Sequence, residues 1–244
     1  MSRGIFVELG YGQEKVQGTV QHHPLDTPGL MPDGRLFRYC FSDGAVVAGH
    51  LLQTKVPVAD DDMDVVVAAA AAIAAKSISI TTVSAILVDE YKDGFLYVND
   101  GPGEGQCFRL GSHLAAGAAA TLVLNLATDE EVITALTTAS LVGLKWNKAK
   151  DVIDFPTTPT GVPVGVTPMD VSDNRYFWAQ VQGDAAVLIE DTVVLGKGVI
   201  PGTTTAGSVK AQVDAGGDDP VIGWVNSPIA VTTDYGHITL CIPL

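Results

Sequence analysis

Charge is scarce in this sequence. Of 244 residues, 17% are Asp, Glu, Lys or Arg, against roughly 25% in an average globular protein. Charged side chains are rarely buried, so the shortfall falls on the surface. Such a surface either exposes small apolar residues or has a partner that covers them. Basic residues are scarcer still: 14 Lys and Arg stand against 28 Asp and Glu, a net charge of −14. A phosphate-binding surface needs clustered cations. Lys145, Lys148 and Lys150 make the one basic cluster, and Asp151 and Asp154 follow it directly. No nucleic-acid partner is expected. Long apolar runs are missing too. The longest, Val65 to Ala75, has eleven residues, where a membrane span needs about 20. Met1 to Glu8 shows no apolar leader. A soluble chain with no membrane partner is expected. Cysteine is limited to Cys40, Cys107 and Cys241, with no CxxC pair. That usage reads as buried free thiols in a reducing cytoplasm, with one disulfide and a leftover thiol as the alternative.

Small residues fill the gap: Ala, Val, Thr and Gly dominate, and 47% of the chain is hydrophobic. They suit the close contacts of an oligomer interface, or a monomer with a small-residue core. The pattern is mainly β. Alternation and flanking turn residues predict strands at Leu36–Phe41, with Ala45–Leu52 as its hairpin return, and at Ser77–Thr81 and Ala85–Val88. Further strands are expected at Phe95–Val98, Gln106–Leu110, Thr121–Leu126 and Leu141–Trp146. Thr128-Asp-Glu-Glu131 is a capping-box pattern, which predicts a short helix over 129–137. The alanine run after Asp60–Asp64 reads equally as helix or strand. Pro156–Pro168 holds four prolines, four threonines and two glycines, which marks a linker. After it, Arg175–Val181, Ala185–Ile189, Thr192–Leu195, Val221–Val225 and His237–Ile242 read as short strands. The expected division is an N-terminal arm over 1–34, a β domain over 35–155, a linker over 156–170 and a small β domain over 171–244. The expected fold class is all-β, with small sandwich or barrel domains and one or two short helices. No exact internal repeat is evident. In the arm, Ile5, Phe6, Val7 and Leu9 are the candidate interface residues; they either dock on a neighbouring subunit or pack on their own domain.

Motifs with catalytic chemistry fail at specific positions. The glycine-rich loop Asn99–Gln106 lacks the following Gly-Lys-Ser/Thr of a phosphate loop and carries Glu104. Asp60, Asp62 and Asp64 open like a calcium loop, but Val65 and Ala71 stand where Gly and Glu are needed. His22, His23, His50, His113 and His237 have no zinc-ligand spacing. Ser112-His113 lacks the context of an activated nucleophile. Trp146, Trp178 and Trp224 each fall in a predicted strand, which suits core or interface packing. No catalytic residue, metal or cofactor is expected.

Several segments resemble the head decoration, or cement, proteins of tailed bacteriophages. They are Gln21-His-His-Pro-Leu-Asp-Thr27, Asp33-Gly-Arg-Leu-Phe-Arg-Tyr39 and Gly44-Ala-Val-Val-Ala-Gly49. Gly94–Gln106 with Ser112-His113, Tyr176-Phe-Trp-Ala-Gln180, Gly183-Asp-Ala-Ala-Val-Leu188 and Val193–Val199 on to Gly223 follow in the same order. Asp26 departs from the pattern, standing where a glycine is expected after Leu25. The resemblance implies a homotrimer on the outer capsid surface, made in the host cytoplasm, with the major capsid protein as partner. The alternative is an adhesion module on a tail or fibre that binds host-surface glycan, with Trp146 or Trp224 in contact with the sugar.

Overall fold

A computed structural model describes residues 6–212, 219–227 and 233–244. The described chain is nearly all β. Its only helical pieces are single turns, a 3-10 turn at Gln13–Lys15 and an α-turn at Ala59–Asp62. The chain divides into two compact units: a split unit of residues 1–56 and 148–244, and an inserted unit of 57–147.

The split unit begins with β1 (Val7–Glu8), β2 (Pro28–Leu30), β3 (Leu36–Phe41) and β4 (Leu51–Gln53). The inserted unit supplies β5 (Val65–Val66), β6 (Ser77–Thr81), β7 (Phe95–Asp100), β8 (Cys107–His113), β9 (Thr121–Leu126) and β10 (Leu141–Lys145). The split unit resumes with β11 (Ile153–Asp154), β12 (Pro163–Val166), β13 (Tyr176–Leu188) and β14 (Gly198–Pro201). It ends with β15 (Val209–Ala211), β16 (Gly223–Val225) and β17 (Tyr235–Cys241).

In the inserted unit the strand order is β5-β10-β7-β8-β9-β6. A bridge from Val67 to Ile80 joins the first strand's continuation to the last. The sheet therefore closes on itself and leaves few free edges. Strict alternation fills the interior: Ile78 and Ile80, Leu96 and Val98, Phe108 and Leu110, Leu122 and Leu124 all point inward. Gly143 of β10 lies on the outer face of the barrel, between the inward Val142 and Leu144. A Cβ there would press on the Asp62 carbonyl and the Tyr97 ring. Gly143→Ala is therefore expected to lower stability by about 1–3 kcal/mol, read as a melting-point fall of about 2–4 °C per kcal/mol.

The split unit carries a sheet of order β1-β2-β3-β13-β17-β16-β14-β15, with β4, β11 and β12 attached at its side. The long β13 organises it. Its first half pairs with β3, and its second half with β17. A register shift between Gln180 and Gln182 and the left-handed Gly183 (φ 87°) bend it where the partners change.

These pairings correct several expectations. The expected arm is part of the sheet: β1 runs parallel to β2, which pairs with β3. β3 and β4 do not form a hairpin, since β4 pairs with β11 and β12. The expected linker contains β12, with Val164 and Val166 buried, and hydrogen bonds from Gln53 to Thr160 and from Val162 to Thr54 tie it to β4. The boundaries therefore fall near residues 57 and 147. Gly183-Asp184 lies inside one strand. Thr192–Leu195 forms no strand, and Ala85–Val88 makes one bridge at Ile86. No helix forms over 129–137, because Val132 and Leu136 are drawn into the barrel core and pair with Ala75 and Ala71. Tertiary pairing outweighs the capping pattern. The alanine run is neither helix nor strand: it bends at 68–69, bridges at Ala71 and turns at 73–74, with Val65, Val67 and Ala71 inward, and the aspartates before it form their own helical turn.

A repeated turn does appear. Val46 pairs with Val171, Ala71 with Leu136 and Ile86 with Ala116, each through two reciprocal N–H···O bonds of 2.8–3.0 Å. Three residues on, the backbone is left-handed at Gly49, Ala74, Asp89, Ala119 and Asn174. β4, β6, β9 and β13 each start just after such a residue. Asp26 is also left-handed, at φ 67°. The turn expected to need glycine is thus made by an aspartate, a residue that tolerates this region better than most.

Candidate functional site

Two buried polar centres hold the split unit. Arg38 on β3 is 1% exposed. Its guanidinium donates to the carbonyls of Val164 (2.8 Å) and Pro243 (2.6 Å). Nε lies 2.6 Å from Asp26 Oδ1, an ion pair whose angle is poor for a straight hydrogen bond. Glu190 is the second centre. Its carboxylate accepts from the backbone N–H groups of Thr203, Thr204 and Thr205 and from the hydroxyls of Thr204 and Ser208, all at 2.8–3.0 Å. Burial pushes its pKa up, but these donors outweigh burial and bring it down to about 2. Both centres use their charge internally and are structural.

The candidate interface residues separate. Ile5 lies outside the described residues. Phe6 is exposed, and Val7 is half-buried. Leu9 is core: with Trp178 it closes over Gly29, whose Cβ would lie 2.7 Å from Leu9 and 2.8 Å from the indole. Beside them a cavity of about 470 Å³ is lined by His22, His23, Tyr39, Tyr176 and Trp178. The rings of His23, Tyr39, Tyr176 and Trp178 pack on one another at 5.0–5.8 Å, so they form a cluster at the cavity wall.

The other three histidines stay apart. His50 Nδ1 pairs with Asp154 at 2.9 Å, His113 Nε2 accepts the Tyr91 N–H, and His237 faces Asp184. Among the described residues no three His, Cys, Asp or Glu side chains group so as to hold a metal. All three cysteines are free thiols, but Cys107 is exposed, contrary to expectation, because alternation on β8 points it outward. Burial pushes the Cys40 thiol up to about 12, which leaves it inert. Trp178 is buried and Trp146 stacks on Tyr91 at 5.7 Å. Trp224 is 48% exposed.

The surface feature of the inserted unit lies at the paired turns. Register places Val88 opposite Leu114 beside the Ile86–Ala116 bridge. Leu87, Val88 and Leu114 are 69%, 63% and 78% exposed, and Val83 adds to them. No charged residue occurs in 82–88 or in 114–128. The backbone beneath is fixed: Thr82 Oγ1 donates to the Gly117 carbonyl at 2.6 Å and accepts the Ala120 N–H at 3.0 Å. Asp89 accepts the His113 N–H at 2.9 Å. At the other bridged pair, Ile73 and Ile133 are exposed in the same way. Sequence reasoning missed these tips, because they become visible only when distant turns are paired. Chemically, they offer aliphatic contact on a fixed backbone, flanked by carboxylates: Glu90 accepts the Leu87 N–H at 2.8 Å, and Glu130 and Glu131 lie beside Ile133. Compared with known proteins, the chain matches no family model, no curated protein and no solved structure.

Proposed function

We propose that this chain is a structural, non-catalytic virion protein that decorates the outer surface of a phage head and cements it by bridging capsid subunits. The observation that carries this reading is the set of exposed aliphatic tips held on rigid turns in a chain that is otherwise acidic. Exposed clusters of this kind mark protein contact sites. The low charge and the order of resembling segments along the chain support the same reading. Each copy, as part of a homotrimer, contacts more than one major capsid protein subunit. Separating those subunits then breaks several interfaces together, and linked contacts gain avidity. Binding the assembled shell but not loose subunits stabilises the shell by mass action.

The full chain is expected to sediment as a trimer and to bind expanded empty shells. Leu87→Asp combined with Leu114→Asp is expected to weaken shell binding at least about tenfold, since each charge would be buried unpaired. Its melting point should hold, because both side chains stand in solvent. A monodisperse wild-type monomer without affinity for shells overturns the reading.

A further inference from the structure

On the split unit, Trp224, Thr239 and Asp184 stand side by side across β16, β17 and β13. A second row holds His237, with Ala186 opposite it and Asn226 hydrogen-bonded to its carbonyl at 2.9 Å. Trp224 is half exposed, and its neighbour on the other side is Gly198, over which the Gln212 side chain lies. Strands lie about 4.8 Å apart, so Trp224 and Asp184 are about 10 Å apart. Asp184 Oδ1 is fixed: it accepts from Asn226 Nδ2 at 3.0 Å and Thr239 Oγ1 at 2.7 Å. Its Oδ2 is 3.7 Å from His237 Nε2, beyond hydrogen-bond distance. One carboxylate oxygen is positioned by the fold and the other faces solvent. The small Ala186 leaves space beside it. The face continues into a cleft of about 600 Å³ that adds Asp170, Gln180, Arg35 and Tyr235.

We infer that this face binds a neutral pyranose-containing glycan, with Trp224 as the stacking platform and Asp184 as the hydroxyl acceptor. A pyranose has one C–H face and a rim of hydroxyls. The C–H face suits the exposed indole. Adjacent hydroxyls need an acceptor and a donor side by side, which Asp184 Oδ2 and the His237 ring N–H can provide. An apolar protein partner would strip water from Asp184, Asn226 and His237 without replacing it. The net charge of −14 disfavours acidic sugars. The site does not depend on the capsid reading, and shell binding and sugar binding are separate measurements.

The test uses the full chain on an array of neutral and acidic glycans, followed by saturation-transfer NMR. The NMR probes are methyl α-mannoside, methyl β-galactoside and methyl β-glucoside. At least one neutral glycan should bind. Trp224→Ala and Asp184→Asn should each weaken it about tenfold with the melting point unchanged. Trp146→Phe should bind as wild type. No binding on the array, binding confined to acidic glycans, or wild-type affinity in Trp224→Ala overturns the inference.

Discussion

Arg38→Ala is expected to destabilise the split unit by about 2–4 kcal/mol, the cost of leaving two carbonyls without their donor and emptying a buried site. The substitution strands the Val164 and Pro243 carbonyls and leaves Asp26 without its nearest cation. Those groups come from β12, the C-terminal segment and the turn before β2, so one side chain joins three stretches distant in sequence. Lys148 Nζ, 3.5 Å from Asp26 Oδ2, stays beside the carboxylate and offsets part of the lost charge. Arg38→Lys should recover only part of the loss, since an ammonium lacks the planar fork that reaches all three acceptors. Urea unfolding of the full chain, followed at the buried Trp178, reads the change as a fall in midpoint. A midpoint unchanged in Arg38→Ala would show that the pair contributes nothing net.

Glu190→Gln is expected to cost about 3 kcal/mol near neutral pH, and the cost should vanish in acid. Glu190's folded pKa of about 2 lies below its ordinary value of 4.5. A depressed carboxylate adds stability that is fully present above pH 4.5 and disappears as pH falls toward 2. The size follows from about 1.4 kcal/mol for each unit of displacement. Glutamine keeps the shape but offers an N–H₂ to a ring of donors. Wild-type and variant unfolding curves should therefore lie well apart at pH 7 and converge near pH 2. Parallel curves across that range would remove the carboxylate from the acid limb. The other carboxylates titrate in both proteins and cancel in the difference.

The legible part of the fold was the strands whose own alternation decides them. Ser77–Thr81 and Thr121–Leu126 agree with the sequence reading to the residue, because every second side chain faces one core. What was not legible is pairing. Leu36–Phe41 reads as a strand, but nothing local says that its neighbour is Tyr176–Gln182 and not Ala45–Leu52. The capping box at Thr128 describes a helix that the burial of Val132 and Leu136 forbids. The repeated turn was hidden because Gly, Ala, Asp and Asn all occupy its left-handed position, so no single letter marks it. Of the sugar-facing residues, Trp224 was visible as a tryptophan in a strand. Its adjacency to Asp184 depends on β17 lying between them.

The three bridged turns are nested. Ile86–Ala116 lies inside Ala71–Leu136, which lies inside Val46–Val171, about 30, 65 and 125 residues apart. Closing a longer loop costs more chain entropy, so the innermost pair is expected to form first and to shorten the path for the next. On the ribosome the order is stricter. The inserted barrel is complete once residue 147 has emerged, while β3 and β4 must wait for β12 and β13. Until then β4 and the edge of β3 that faces away from β2 are unpaired, a state open to association with other nascent chains. The insertion thus imposes an inside-out assembly line, in which β4 and the outer edge of β3, made early, are among the last to find their partners.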